Sequence, residues 1–430
     1  MAGEIRNSMW DWQRSGSVSS VEPSEPSLSR SVSVLDRPVR EVFLSPFAWW
    51  PYWVSLALFL YSLGWSDLFP PPESATVVLL LVSSLLFAML AMIVVVPQPR
   101  TSARPISRMT IVLIAFYFLL AFVYSGGIPL FLIVSGAQYD IYSFGLPGVH
   151  VAMLSYTGYI SIRSFHRYLV ASDRTARTAF LVSAALLVLI GSRSAVMFLV
   201  FSSAYLYLRH RRPRLRRVAG LSVLTLLVLL AFGWFGNARL SQQINESTGR
   251  RGDSDAIQVL SRSNERFAST GLPPGSLWPY MYLASPVANL NNAVEQNRGG
   301  LCSEPCELDS VVLRELIPDV VGDRAADALG MPKLDREKFL ISPSLTASTT
   351  FGVAVAYAGV SGGIIMMAAL VALSLACLYG LKSTATGEVA VVVVASLLFF
   401  SSFENMIAYS PASLQLFWCV VFRRSSSRFA

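Results

Sequence analysis

The chain has 430 residues, of which 53% are hydrophobic and only 14% charged, and its mean hydropathy is +0.53. Soluble domains carry about a quarter charged residues, so a single water-soluble core is excluded. The net charge of +8 raises the question of nucleic acid, yet no basic folded domain with a readable nucleic-acid motif is present, and none is expected as a partner.

Residues 1–45 are rich in Ser and broken by Pro23 and Pro26, with little apolar periodicity. This composition predicts a disordered cytoplasmic tail. It lacks the apolar core and small-residue cleavage site of a signal peptide. Phe47, Trp49, Trp50, Tyr52 and Trp53 then read as an interfacial aromatic belt at the entry to a first membrane span.

Long uncharged stretches follow, and the pattern predicts an all-α polytopic transmembrane bundle of about ten spans. The segments are 47–66, 75–96, 111–125, 147–162, 178–190, 195–208, 218–236, 359–381, 389–402 and 411–422. Three alternate connections are basic: Arg100, Arg104 and Arg108; then Arg163, Arg167, Arg174 and Arg177 against Asp173; then the arginine-rich run Arg209–Arg217. With Arg423, Arg424 and Arg428 near the end, the positive-inside rule puts these connections and both termini in the cytoplasm. Segment 178–208 could also be one long helix centred on Arg193, but that would put its two basic flanks on opposite sides. A hairpin with Arg193 at its outer tip is therefore expected.

The expected organisation is a tail at 1–45, spans 1–7 over 46–236, one large extracytoplasmic loop at 237–344, spans 8–10 over 345–422 and a short cytoplasmic tail at 423–430. The large loop holds 11 basic and 14 acidic residues, and a connection of this size is usually functional. Every formal charge falls outside the span cores. Ion-coupled transporters carry ionisable groups near the midplane, so any chemistry is expected at the outer interface, where Asp140, His150, Arg193, Arg239 and Glu404 approach the membrane.

Several outer motifs carry this expectation. Gly126-Gly-Ile-Pro-Leu-Phe131, Tyr139-Asp140 and Phe144-Gly-Leu-Pro-Gly-Val-His150 break a helix at membrane depth, either as a structural re-entrant turn or as a substrate lining. Arg193, in Gly191-Ser-Arg-Ser194, either snorkels to lipid headgroups or grips a diphosphate through its bidentate fork. Arg239 is the next arginine nearest the membrane, and those at 250, 251, 262 and 266 read more simply as loop surface. Between Tyr280 and Asn292, rings and side-chain amides suit sugar rings and hydroxyls, with Tyr280 and Asn289 the candidates; the same residues also fit an amphipathic helix on the membrane surface. Cys302 and Cys306 are able to pair in an oxidising compartment. Two thiols without a loop histidine do not make a zinc site, and no P-loop, dinucleotide fingerprint or nucleophile elbow is present. No metal or cofactor is expected.

Taken together, these pieces resemble the oligosaccharide repeat-unit polymerases, the O-antigen polymerase-like family of bacterial membrane proteins. The resemblance spans about Gly126 to Asn405 and includes Tyr282-x3-Pro-x2-Asn-Leu290, Ser344-Leu-Thr-Ala-Ser-Thr-Thr-Phe-Gly352, Gly359-Val-Ser-Gly362 and Phe403-Glu-Asn405. It implies a metal-independent glycosyltransferase on the outer face of the cytoplasmic membrane. The substrate it implies is oligosaccharide on undecaprenyl diphosphate, with membrane lipid, a flippase and a chain-length regulator as further partners. Displacement at an anomeric carbon would then be helped by Arg193 and Arg239 on the leaving diphosphate. His150, Asp140 and Glu404, in that order, are the candidate bases. The related O-antigen ligases keep a histidine in the large loop, and this loop has none. A ligase or other lipid-linked glycosyl transferase, and a glycan transporter or flippase, are the alternatives.

Overall fold

The structure is a computed structural model that describes residues 39–97, 105–135, 144–146, 148–211, 220, 256–297, 307–343 and 345–423. All of the predicted segment 218–236 except Gly220, together with Asp140, Arg239, Cys302 and Cys306, lies outside the described residues. Among those described, the protein is all-helical, with an isolated β-bridge between Ser66 and Ser263.

Each other predicted apolar segment holds a helix. The first six are α1 (Trp49–Ser62), α2 (Ser74–Ile93), α3 (Arg108–Tyr124), α4 (Val149–Ala171), α5 (Arg174–Leu189) and α6 (Arg193–His210). Then come α7 (Leu277–Gln296), α8 (Asp319–Ala328), α9 (Thr349–Leu381), α10 (Gly387–Phe400) and α11 (Ser410–Val421). Two of these, α2 and α9, are long and apolar enough to cross a membrane.

Local chemistry sets many of the ends. Ser107 accepts from the Met109 N–H at 3.2 Å to cap α3, and Asp173 accepts from the Thr175 and Ala176 N–H groups to cap α5. Gly191, with φ +71°, supplies the left-handed residue between α5 and α6. The two helices form a hairpin: Arg167 of α4 pairs with Asp173 before α5 at 3.3 Å, while Arg211 after α6 donates to Leu169 O of α4 at 3.1 Å. The far ends of α5 and α6 thus meet the same end of α4. Arg163 and Arg167, expected in a loop, extend α4 itself, and the connection to α5 is only Ser172–Asp173.

At the centre lies α10. Its residues from Gly387 to Leu398 are buried on every face, as expected of a helix apolar all round. By contrast α2 and α3 bury one stripe each (Leu80, Phe87 and Ala91; Ile114, Phe118 and Ala121) and expose Val82, Leu85 and Met89, and Phe116, Leu119 and Val123. Glu388 at the start of α10 accepts from Arg209 Nε at 2.9 Å, and both side chains are 5% exposed or less. Burial pushes the Glu388 carboxyl up, but Arg209 and His210 outweigh it and hold it well below the usual carboxylate range. Arg40 donates to the carbonyls of Leu208, Arg209 and Arg211, closing the C-terminal end of α6.

Helix α9 is two helices joined at a break. Ala358 and Gly359 leave helical geometry, with Gly359 at φ +60°, ψ −154°, a region essentially closed to other residues. The two halves cross so closely that a Cβ on Gly362 would lie 2.0 Å from Ala354 O. The predicted span 359–381 is the second half; the first half, Thr349–Tyr357, is an additional buried helix that the apolar pattern alone did not separate.

Part of the predicted large loop, residues 256–297, is helical and packed in the core. Within them α7 packs against α1 and α9 and is buried at most positions from Leu277 to Val294. It is not a helix lying on a membrane surface.

Candidate functional site

Parts of three motifs separated along the chain, Ser192–Ser194, Thr349–Phe351 and Phe403–Asn405, lie close to one turn of the bundle. Their meeting point is the turn between α10 and α11. The first turn of α9 leaves N–H groups that its own helix cannot satisfy; Thr349 N donates to Phe403 O at 2.9 Å and Thr350 N to Ser401 O at 2.7 Å. Thr349 adopts φ +59°, a costly conformation for a β-branched residue. It is held there by that bond and by the Phe351 N–H, which donates to Thr349 Oγ1 at 3.2 Å.

Asn405 ties this turn to the π-helical turn at 311–315. Its Nδ2 donates to Glu315 O at 2.7 Å and to Glu315 Oε2 at 2.8 Å. Its Oδ1 accepts from Ile407 N at 3.0 Å and from Thr350 Oγ1 at 3.3 Å. Glu315 is 2% exposed and sits at the end of a π-helical turn, Val311–Glu315, a geometry often found at functional sites. Burial pushes its carboxyl up to about 7, against the pull of Asn405 and Arg336. Nearby, Asp319 N donates to Ala408 O at 2.7 Å and the Ser410 hydroxyl donates to the Asp319 carboxylate; burial raises the Asp319 carboxyl, with Ser410 opposing.

Beside this cluster, Ser194 at the start of α6 lies 2.7 Å from the Tyr409 hydroxyl and 3.4 Å from Ser192 Oγ. A small open crevice, about 20 Å³ in volume, runs from this hydroxyl pair between α4, α5, α6 and α11. Leu154, Ile162, Leu187, Phe198 and Leu199 give it an apolar wall. Gln415 also lines it, fitted against the bare backbone of Gly158, where a Cβ would stand 2.7 Å from Nε2. Its Oε1 is buried and has no hydrogen-bond partner among the described residues.

The sequence-predicted residues divide. Arg193 begins α6 next to Ser194 and is exposed, which puts it at the mouth of the crevice. Glu404 lies on the meeting turn, about half exposed, with its Oε1 3.4 Å from Arg336 Nη1. His150 sits apart from Glu315 in an aromatic setting: its Nδ1 is 3.2 Å from Tyr117 Oη, and its ring is edge-on to Phe144 at 5.0 Å.

Two expectations are corrected. The Tyr280 ring packs on Trp65 and Phe69 in the core, and its hydroxyl accepts from Trp65 N at 3.0 Å. Asn289 is fully buried; its amide donates to Leu345 O and Ala347 O and accepts from Ile341 N at 2.8 Å. Both side chains spend their polar atoms on backbone groups, because the residues near them are irregular segments whose N–H and C=O groups need partners. Neither side chain lines the crevice, and both are buried.

Glu315, Arg336 and Asp319 were not singled out in the sequence. The available signal was a carboxylate set in the apolar run from Val311 to Ile317, which is what a buried acid looks like.

Comparison with known proteins finds no matching protein-family model, no matching curated protein and no matching solved structure.

Proposed function

We propose that the chain is a multi-pass glycosyltransferase of the bacterial cytoplasmic membrane that joins oligosaccharide repeat units carried on polyprenyl diphosphate. In this reading it has about ten spans, both termini in the cytoplasm and its site facing outward. The observation that carries it is the crevice: apolar walls between four helices open onto a mouth of Ser194 and Tyr409 beside Arg193. The order of those surfaces, apolar, then hydroxyl, then cationic, is the order of chemistry that a lipid with a phosphorylated head presents.

The exposed apolar faces of α2 and α3 support the membrane setting, since lipid would cover them. At the mouth, the N-terminal turn of α6 adds unsatisfied N–H groups and the positive end of its dipole. Arg193 adds a guanidinium on its first residue. As the anomeric carbon–oxygen bond breaks, negative charge builds on the leaving diphosphate, and fixed positive charge there lowers the barrier. Arg239 is the proposed second cation.

The test is purified protein in nanodiscs with polyprenyl-diphosphate-linked single repeat units, the products resolved by gel and mass spectrometry. A ladder spaced by one repeat is expected. Arg193→Ala is expected to lower polymer yield at least about 100-fold, the scale of losing one transition-state charge contact, with the protein still inserted and abundant. A single transfer to another acceptor would establish a ligase instead, and unchanged substrate would discard the transferase.

A further inference from the structure

We propose that the paired starts of α3 and α5 bind an anionic phospholipid, its phosphate among Arg108, Arg174 and Arg177 and its acyl chains along the exposed apolar faces below them. The assignment rests on the membrane setting of the reading above and not on its chemistry. It concerns a separate place, since Arg174 begins α5 while Ser194 lies beyond the far end of that helix. In the proposed orientation the site lies in the cytoplasmic leaflet.

The two helices pack with their first turns level. Ile106 and Ile111 meet Ala176 and Ala179, and the small alanines let the backbones approach. Arg108 is the first residue of α3, and Arg174 and Arg177 are the first and fourth of α5. All three are exposed, and among the described residues none of them makes a side-chain hydrogen bond or an ion pair. Arg163 of α4 joins the same edge by donating to Pro105 O at 3.2 Å. Among the described residues from 105 to 211 the one acid is Asp173, and its carboxylate is taken up by the α5 cap and by Arg167. An arginine in a first turn also opposes the dipole of its own helix, so helix stability does not account for these three. The edge holds positive charge that its described neighbours leave unneutralised.

Below each arginine runs an apolar stripe. Helical spacing from Arg108 leads to Val112, Phe116 and Leu119, each more than half exposed. The same spacing from Arg177 leads to Leu181 and then Val188, both exposed. Cations at one level and hydrocarbon beneath them match the profile of a phospholipid, whose phosphate accepts from a guanidinium fork. Charge decides which phospholipid: a zwitterionic headgroup brings its own cation towards the arginines, whereas an anionic one does not. Each basic residue near an anionic lipid surface strengthens binding about fivefold.

The experiment is native mass spectrometry of the protein released from nanodiscs that hold phosphatidylglycerol and phosphatidylcholine in equal amounts. Wild type is expected to retain phosphatidylglycerol in preference. Arg108→Gln, Arg174→Gln and Arg177→Gln are each expected to lower the ratio of the two retained lipids about fivefold, and the triple variant to bring it near one. Arg423→Gln removes an equal charge elsewhere and is expected to leave the ratio unchanged. Soluble glycerol phosphate is expected not to displace the lipid, because it lacks the chains that cover the apolar stripes. Equal retention by wild type overturns the site, as does a triple variant that keeps the wild-type ratio. A loss from Arg423→Gln as large as that from Arg108→Gln reduces the effect to net charge and also overturns it, and displacement by glycerol phosphate rejects the apolar half. These outcomes leave the membrane setting standing, whereas protein that does not enter nanodiscs overturns both. Should the triple variant fail to fold in a thermal scan, the single variants decide.

Discussion

A carboxyl that folding buries and shifts upward leaves a thermodynamic mark. Glu315 moves from 4.5 in the open chain to about 7 in the fold, so the native state binds a proton that the unfolded state has already released between those values. Stability from this group is therefore full below about pH 4.5 and falls as pH rises to about 7, in total by about 3 kcal/mol. Glu315→Gln, neutral at every pH, is expected to unfold at a higher temperature than wild type at pH 8 and at a similar temperature at pH 4.5. At the same scale, Tyr280 and Asn289 show how a residue type suited to sugar chemistry serves the backbone instead. Aromatic and amide side chains fit either use, and only their partners in the fold distinguish them: Trp65 N for one, Ile341 N with two carbonyls for the other.

Among the elements, α9 and the start of α10 carry distinct strains. At Gly359 the backbone occupies a region that other residues avoid, and Gly359→Ala is expected to destabilise by about 1–3 kcal/mol, read as a lowered unfolding temperature in detergent. Because the break sets the angle at which Thr349–Tyr357 meets the α10–α11 turn, the same variant should also weaken the contacts that hold Asn405. At the other end, Arg209→Ala leaves Glu388 buried without its main partner, at about 3–5 kcal/mol. The paired replacement Arg209→Met with Glu388→Gln removes both charges and is expected to recover most of that loss. Equal destabilisation of the single and double variants would show that the pair's packing, and not its charge, matters. The hairpin α5–α6 was legible beforehand, since one glycine and two basic flanks fix it locally. The first half of α9 was not, because its buried faces are set by neighbours from α1, α7 and α10.

For the whole molecule, the proposed orientation makes the site and the arginine-rich connections face opposite sides of a membrane. On a chain whose four native cysteines are replaced by alanine, Glu404→Cys is expected to react with an impermeant maleimide added outside spheroplasts. Arg423→Cys is expected to react only after the membrane is opened. Labelling of both positions from outside would reject the arrangement. The hydrogen bonds are consistent with two separate ends: Arg40, Arg167 and Arg211 tie connections together at one, and Asn405, Asp319 and Ser194 do so at the other.

The sequence by itself determined what short-range physics controls. Apolar stretches bounded by arginines were enough to locate most of the helices and to predict an all-α chain, and short-range chemistry at Ser107, Asp173 and Gly191 sets several of their ends. Only the tertiary structure decided which polar groups lie together. Glu315 and Asn405 are 90 residues apart, and Ser194 and Tyr409 are 215 apart. Whether a carboxylate is solvated or buried depends on which distant chain covers it. No local pattern encodes that, so the sequence pointed to His150, Asp140 and Glu404 and passed over the buried carboxyl of Glu315.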